Sequence, residues 1–479
     1  MAETLKGKTV KGVAWSALER FSVQGVSFVV MIIMARMLSP NEYGLVGMLT
    51  VFLAISQSLV DSGFSQALMR KMDRTETDNS TAFYFNVVVG IFMYALLCLC
   101  APMIANFYDE PLLTDITRVI GLSVVINSLV VVQRALFTSD LDFRTQAKAS
   151  LLAAIVSGAI GIGMAASGFG VWSIVWYQLS NLGVNASMLW LLSEWRPKLR
   201  YSWASFREMF GFGSKLMVSG LINTIYTNIY LIVIGKIFRA SDLGYYTRAH
   251  QFAEFPSSNL NGIVQRVTYP VLCSIQNDDE RLADVYRRFL KLSAFIIFPL
   301  MTGLAATSEP LILMLLNKQW AFTVTLLQII CFSMMWYPIH SINLNLLQVK
   351  GRSDLFLKLE IYKKILGVSV MCVTIPLGLV AMCIGMVFNS IVALTINTYY
   401  TGRLIDVGFI KQMRDLAPTL LLSISMSAVV YVCVELMPFA NIVRLLIGVT
   451  VGVIYYLSIA KIFRFKELTE LTSLIKHKS

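Results

Sequence analysis

Residues 149–193 read ASLLAAIVSGAIGIGMAASGFGVWSIVWYQLSNLGVNASMLWLLS, 45 positions without one Asp, Glu, Lys or Arg. A helix rises about 1.5 Å per residue and a bilayer core is about 30 Å thick, so about 20 apolar residues make one crossing. This run is long enough for two, and Gly168-Phe169-Gly170 divides it near the middle. The same pattern recurs outward from it. Ala82–Tyr108 is uncharged over 27 residues, and Ile365–Gly402 over 38, broken at Pro376-Leu377-Gly378. Over all 479 residues, 56% are hydrophobic and 14% charged, against roughly 25% charged in a soluble domain. The fold class is therefore all-α and integral to the membrane. That excludes a soluble enzyme, a nucleic-acid-binding module and a secreted disulfide scaffold.

The remaining apolar runs extend the count to fourteen spans. They lie at 14–36, 43–64, 82–107, 114–136, 147–167, 170–193, 211–237, 243–272, 289–309, 321–348, 356–376, 379–402, 415–435 and 442–463. The eighth is the most polar, holding Arg248, His250, Glu254 and Arg266. Basic residues concentrate on the cytoplasmic ends of membrane helices. With the N-terminus inside, 31 of the 40 Lys and Arg fall in inner segments and 5 in outer ones. The remaining four, Arg20, Arg118, Arg248 and Arg266, lie within spans. Dropping one span would reverse every later loop and destroy the asymmetry. The net charge of +12 thus reads as topology, facing anionic inner-leaflet lipid, with both termini cytoplasmic.

The seven cysteines sit in or beside apolar runs, with no CxxC and no His at ligand spacing, so they read as small buried side chains. No metal or other cofactor is expected. The polar stretch through Lys11 gives the expectation that no leader is removed. No loop is long enough for a soluble domain.

An offset of 200 residues relates Arg36 to Lys236, Glu42 to Asp242 and Gly44 to Gly244. Six crossings separate the copies, so the repeats run parallel, a known transporter plan with the substrate site between them. The expected organisation is an N-lobe over 1–200 (spans 1–6), a C-lobe over 201–403 (spans 7–12) around a central cavity, and a terminal helix pair with a cytoplasmic tail over 404–479.

Several stretches carry a family resemblance. These are Ala35-Arg36-Met37-Leu38-Ser39-Pro40-Asn41-Glu42-Tyr43-Gly44, Asp61-Ser62-Gly63-Phe64-Ser65-Gln66-Ala67-Leu68, Arg134-Ala135-Leu136 with Leu141-Asp142-Phe143-Arg144, Gly170-Val171-Trp172-Ser173, Gly244-Tyr245-Tyr246-Thr247-Arg248-Ala249 and Lys350-Gly351-Arg352-Ser353. In this order and spacing they resemble the Wzx-type polysaccharide-transporter family of the multidrug/oligosaccharidyl-lipid/polysaccharide superfamily. The resemblance implies a bacterial inner-membrane flippase. Its substrate would be undecaprenyl-diphosphate-linked oligosaccharide, moved from the cytoplasmic to the periplasmic leaflet in O-antigen or capsule synthesis. It also implies a glycan polymerase or other assembly proteins as partners.

Such a substrate has a polar glycan, an anionic diphosphate and a tail that stays in lipid. Arginine binds phosphate oxygens bidentately, and a charge at membrane depth costs at least about 2.5–3.5 kcal/mol unless it meets water or a partner. Arg20 and Arg266, toward the cytoplasmic side, and Arg118 and Arg248, toward the periplasmic side, are the candidates for a two-level cationic cavity. Pairing with Glu19, snorkelling or a helix end would explain Arg20 and Arg266 equally. For the glycan the candidates are Gln24, Asn223, Tyr226, Tyr230, Asn259, His340 and Asn343, with Gln348 on the same span as the last two. For any one of these, ordinary interhelical hydrogen bonding is the competing explanation. Asp61 and Glu254 are candidates for H+ or Na+ coupling. Ion coupling is not obligatory, since moving about two negative charges outward gains about 4.6 kcal/mol per 100 mV across the full field. Pro256, Pro270, Pro299 and Pro338 lead to the expectation that the C-lobe bends more.

Three other functions compete. A cation-coupled small-molecule or multidrug antiporter would favour acidic residues in a compact apolar pocket and usually twelve spans. A membrane glycosyltransferase or polymerase calls for a substantial soluble loop. A peptidoglycan-precursor flippase differs only in its glycan.

Overall fold

The computed structural model describes residues 22–61, 63–71 and 73–476. Among them every regular element is helical, and the chain divides into two compact units, 1–244 and 245–479.

The first unit holds α1 (Ser22–Met37), α2 (Pro40–Asp61), α3 (Phe64–Arg70), α4 (Glu76–Tyr108), α5 (Leu113–Ile120), α6 (Leu122–Ser128), α7 (Val131–Ser139), α8 (Phe143–Ala166), α9 (Val171–Leu192) and α10 (Trp203–Ile237). The uncharged 45-residue run is α8 and α9. Gly168 (φ 80°) and Gly170 (φ 55°) make the turn between them in a backbone region that side chains disfavour. The two helices pack closely because small residues line the seam. A Cβ on Gly161 would stand 2.9 Å from Tyr177 Cβ. Asn181 Nδ2 donates to Ser157 Oγ at 3.0 Å across the same seam. Between helices in lipid, where no hydrophobic force drives association, such backbone approach and hydrogen bonding do that work.

α11 (Ala240–Ser274) starts in the first unit and continues in the second. There follow α12 (Asp279–Ala306), α13 (Ser308–Leu316), α14 (Ala321–Met334), α15 (Tyr337–Val349), α16 (Ser353–Thr374), α17 (Leu379–Ile405), α18 (Phe409–Leu436), α19 (Asn441–Ile462) and α20 (Lys466–Lys476). α12 and α18 are clamped at one end by Asp415. It accepts from Arg287 Nε at 2.6 Å and Nη2 at 2.8 Å, and Lys291 Nζ lies 3.0 Å away. Further along, Thr302 Oγ1 donates to Ser423 O and Ser427 Oγ to Thr302 O. α19 packs on α18 through Gly448 and Gly452, which face Val434 and Val430. α20 is amphipathic and lays Leu468 and Leu471 on the core around Phe295, Tyr456 and Ala460, held by Arg288 Nε to Glu470 Oε2 at 2.8 Å.

Ten helical stretches among the described residues are long and apolar enough to cross a membrane. The protein is a multi-pass, all-α membrane protein. The other four predicted spans coincide with α1, α9, α11 and α16. Residues 14–21 of the first lie outside the described residues.

Two predicted spans are not single straight helices. Span 114–136 is broken into α5, α6 and α7. At the second break Ser128 Oγ donates to Val125 O at 2.7 Å, a carbonyl that also accepts from Leu129 N at 3.3 Å, and side-chain bonds of this kind bend helices. Span 321–348 is broken between α14 and α15, where Pro338 occupies the first turn of α15 and has no N–H to continue the ladder.

Candidate functional site

The 200-residue repeat has a structural meaning within the first unit. Ser39 and Glu42 cap α2: Glu42 Oε2 accepts from Ser39 N at 2.6 Å and Ser39 Oγ at 3.0 Å. In the second copy Asp242 Oδ2 accepts from Arg239 N at 3.2 Å, at the start of α11. The two helix starts then meet backbone to backbone. A Cβ on Gly44 would fall 1.6 Å from Ala240 O, and one on Gly244 would fall 2.0 Å from Pro40 O. Neither position has room for any side chain. Beside this crossing Lys236 Nζ is 2.9 Å from Asp109 Oδ2 and lies over the Phe107 ring at 5.3 Å.

Arg248, on α11 in the second unit, is 6% exposed, and its Nη1 donates to Gln251 Oε1 at 2.6 Å. The other two described arginines differ from it. Arg118 is exposed at the end of α5, four residues before Leu122, which is itself exposed. Arg266 is exposed on α11 beside the exposed Ile263 and Val267. Arg20 lies outside the described residues.

The predicted polar residues separate into two groups. Asn223 is exposed on α10, with Tyr226 and Tyr230 half-buried on the same helix. On α11, Asn259 Nδ2 donates to Phe255 O of its own helix, and Glu254 is 56% exposed with Oε2 3.5 Å from His250 Nδ1. Gln24 on α1 has a buried Oε1 that meets no donor among the described residues. Asp61, exposed at the end of α2, acts on Arg134 electrostatically, and Gln348 is exposed at the end of α15.

His340 and Asn343 form the second group, both joining α15 to α17. His340 has Ser390 Oγ at 3.1 Å from Nε2 and Asn397 Nδ2 at 3.2 Å from Nδ1. Asn343 Oδ1 accepts from Gln412 Nε2 at 3.1 Å and Thr401 Oγ1 at 3.4 Å, and its Nδ2 donates to Gln412 Oε1 at 3.2 Å. Gln412 Nε2 also lies within reach of Tyr286 Oη, Thr401 Oγ1 and Val407 O. Four helices, α12, α15, α17 and α18, thus meet around Asn343 and Gln412 through buried polar groups.

Gln412 and a second centre, Arg134, were not among the predicted site residues. Arg134 Nη1 donates to Asn127 Oδ1 at 3.0 Å and Nη2 to Asn185 Oδ1 at 3.3 Å, while Asn185 Nδ2 donates to Ser150 Oγ. This one guanidinium ties α6, α7 and α9, and through Asn185 reaches α8. The Arg134-Ala135-Leu136 motif was its signal in the sequence, counted there as loop charge.

A cavity of about 900 Å³ opens at the ends of α12, α17 and α18. It is lined by Arg287, Arg403, Lys411 and Arg414 together with five acidic residues, including Asp406 and Asp415. It is mixed in sign, and Arg118, Arg248 and Arg266 are not among the described residues lining it. Among the described residues no group of His, Cys, Asp and Glu is arranged to hold a metal ion.

The decisive comparison is with protein families. The model of the polysaccharide biosynthesis protein family matches residues 33–325. The chain belongs to that family. The match begins just before the Ser39–Gly44 motif and ends within α14, so it covers the capped helix starts, Arg134 and Arg248. The lipopolysaccharide biosynthesis protein WzxC of Escherichia coli is 25% identical over 82% of this chain and 80% of its own length. The teichuronic acid biosynthesis protein TuaB of Bacillus subtilis is 24% identical over 72% of each chain. The succinoglycan biosynthesis transport protein ExoT of Rhizobium meliloti is 27% identical over 70% of this chain and 68% of its own. Among solved structures, the lipid II flippase MurJ in an inward closed conformation superposes with a TM-score of 0.75. That alignment covers 94% of this chain and 98% of MurJ at 16% identity. An inward-facing multidrug resistance MATE family transporter gives 0.61 over 84% and 98%, also at 16%. These structures are similar in fold.

Proposed function

We propose that this protein is a flippase for polyprenyl-diphosphate-linked oligosaccharide, carrying it from the cytoplasmic to the periplasmic leaflet of a bacterial inner membrane by alternating access. It acts as a transporter, with no bond made or broken. The observation that carries the reading is Arg248. A guanidinium 6% exposed on a helix at membrane depth is costly to keep, and its planar fork suits a diphosphate. A cationic route is proposed to use Arg118 and Arg266 as well, and Asn223, Tyr226 and Tyr230 on α10 are proposed to meet sugar hydroxyls. The polar atoms of His340 and Asn343 are engaged with the protein, so both are assigned to packing and not to the glycan.

The reciprocal Gly44 and Gly244 packing supports alternating access. In the topology read from charge it lies at the periplasmic end, where a backbone-on-backbone contact closes the path without long side chains to reorganise. The lobes 1–200 and 201–403 are the bodies proposed to rock, with 404–479 as an accessory pair. Both termini are proposed to be cytoplasmic, and a glycan polymerase is a proposed downstream partner. The membrane potential suffices as the driving force, and the His250–Glu254 pair at 3.5 Å is the place where a proton or Na+ would couple.

The test is a leaflet-accessibility assay in proteoliposomes with a defined lipid-linked glycan. Arg248→Gln is expected to lower the flipping rate at least tenfold and Arg248→Lys less, with both proteins eluting as folded. Unchanged flipping in Arg248→Gln and Arg118→Gln together sinks the cationic route. Ion-driven export of a small cationic dye, with no glycan movement, establishes the antiporter reading instead.

A further inference from the structure

The segment joining α9 to α10 carries large apolar side chains outward. Leu199 is 95% exposed, Trp203 65% and Tyr201 53%. Leu199 and Tyr201 lie in the non-helical connector and Trp203 opens α10, and the connector is pinned to α4. Lys198 N donates to Ser80 Oγ at 3.1 Å and Ser202 N to Thr81 Oγ1 at 3.0 Å. Trp203 stacks on Phe206 with ring centroids 4.9 Å apart, and Phe206 stacks on Phe210 at 5.3 Å. The outward set is therefore fixed in place before it meets anything. Exposed apolar groups held so are a docking surface.

Charge identifies the occupant. Residues 194–207 hold Arg196, Lys198, Arg200 and Arg207 against one acid, Glu194. Aromatic rings with basic neighbours match the headgroup zone of a bilayer, where the rings take an amphipathic level and the cations face lipid phosphate. Helix length agrees. α10 has 35 residues, about 52 Å at 1.5 Å each, against a hydrocarbon core of about 30 Å. The excess length must project, and Trp203, Arg207 and Glu208 put aromatic and charged groups at the N-terminal end. A glycan platform would have no use for Leu199.

We infer that residues 194–207 are an interfacial anchor that seats Leu199, Tyr201 and Trp203 among anionic phospholipid headgroups. It thereby holds the start of α10, and through Ser80 and Thr81 the start of α4, at the leaflet surface. The charge asymmetry puts this surface on the cytoplasmic side. The inference does not depend on what the protein transports.

The test uses the full chain in nanodiscs of phosphatidylglycerol or phosphatidylcholine containing lipid brominated near the headgroup. The quantity read is the tryptophan quenching that Trp203→Phe removes. It is expected to be present in phosphatidylglycerol, and to fall at least twofold in phosphatidylcholine and in the Arg196→Gln/Lys198→Gln/Arg200→Gln variant. Leu199→Ser, at a position that packs against nothing and so leaves the fold intact, is expected to reduce it as well. Absence of Trp203-specific quenching by brominated lipid, with full quenching by aqueous acrylamide, overturns the anchor. So does protection of Trp203 from acrylamide by a lipid-free glycan diphosphate in detergent, which would make the segment a glycan platform. Both readouts are independent of flipping, so a failed flippase assay leaves the inference to stand or fall alone.

Discussion

Gly44 has one role that no other residue can take. Its missing Cβ would lie 1.6 Å from Ala240 O, far inside contact distance, and the clash is with backbone, which cannot rotate away. Gly44→Ala is expected to hold α2 and α11 apart at their starts. In a leaflet assay it should flip at least tenfold more slowly while retaining helical content by circular dichroism; wild-type transport by Gly44→Ala would remove the closure argument. Gln412 is the opposite case, a residue whose atoms are fully used. Removing its amide takes one partner each from Asn343 Oδ1, Asn343 Nδ2 and Tyr286 Oη in a buried site, and each group left unsatisfied costs about 1–3 kcal/mol. Gln412→Ala is expected to lower the apparent melting temperature in detergent by several degrees, with Gln412→Glu no better, because the lost donor leaves Asn343 Oδ1 and Val407 O facing a carboxylate. The roles of both residues were invisible in the sequence for the same reason. Gly44 was quoted as a repeat match and Gln412 not at all, since neither close approach nor mutual satisfaction leaves a one-dimensional trace.

Helices α3, α4 and α10 are joined by Lys71. Its Nζ lies 2.9 Å from Glu208 Oε2 on α10 and 3.2 Å from Asp78 Oδ1 on α4. The Glu208 carboxylate raises the Lys71 ammonium above its ordinary range, against desolvation, and Asp78 adds to the rise. A raised lysine contributes its stabilisation below the ordinary value of about 10.5 and loses it only as pH climbs through the folded-state value. Lys71→Met is therefore expected to weaken the link by the same amount at pH 6 and pH 9, read as equal increases in proteolytic nicking near residue 72. A loss that differs between these two pH values refutes the assignment. At this scale the sequence was informative where breakers were strong. Gly168-Phe169-Gly170 and Pro376-Leu377-Gly378 end helices as expected, because φ of 80° and 96° at Gly168 and Gly378 is accessible only at low cost to glycine. It was uninformative at the α6–α7 break, which depends on a Ser128 hydroxyl bonded to Val125 O, a choice that any serine in any helix could make.

Over the whole molecule, charge asymmetry predicts cytoplasmic termini. Fusion of green fluorescent protein after Ser479 should fluoresce, and alkaline phosphatase fused between α18 and α19, at residues 437–440, should be active; the reverse pattern inverts the topology and with it the direction of transport. Deleting residues 466–479 removes α20 and its Glu470 partner for Arg288, exposing the apolar surface around Phe295 and Tyr456. The truncated protein is expected to aggregate earlier on heating, measured by size-exclusion chromatography, with its topology unchanged.

Amino-acid order by itself determined that this chain lives in a bilayer, where its strongest helix breakers fall, and which family its motifs resemble. Those properties are sums over many residues or depend on neighbours in the chain: hydropathy over about 20 positions, the K/R bias of loops, the conformational limits of Gly and Pro. Tertiary structure alone decided which arginine is buried, that Arg134 is a crosslink tying several helices and not a loop charge, and that the repeated glycines press on each other's helix starts. Each of these is a relation between residues far apart in the chain, and a side chain's burial and partners exist only once those helices have packed.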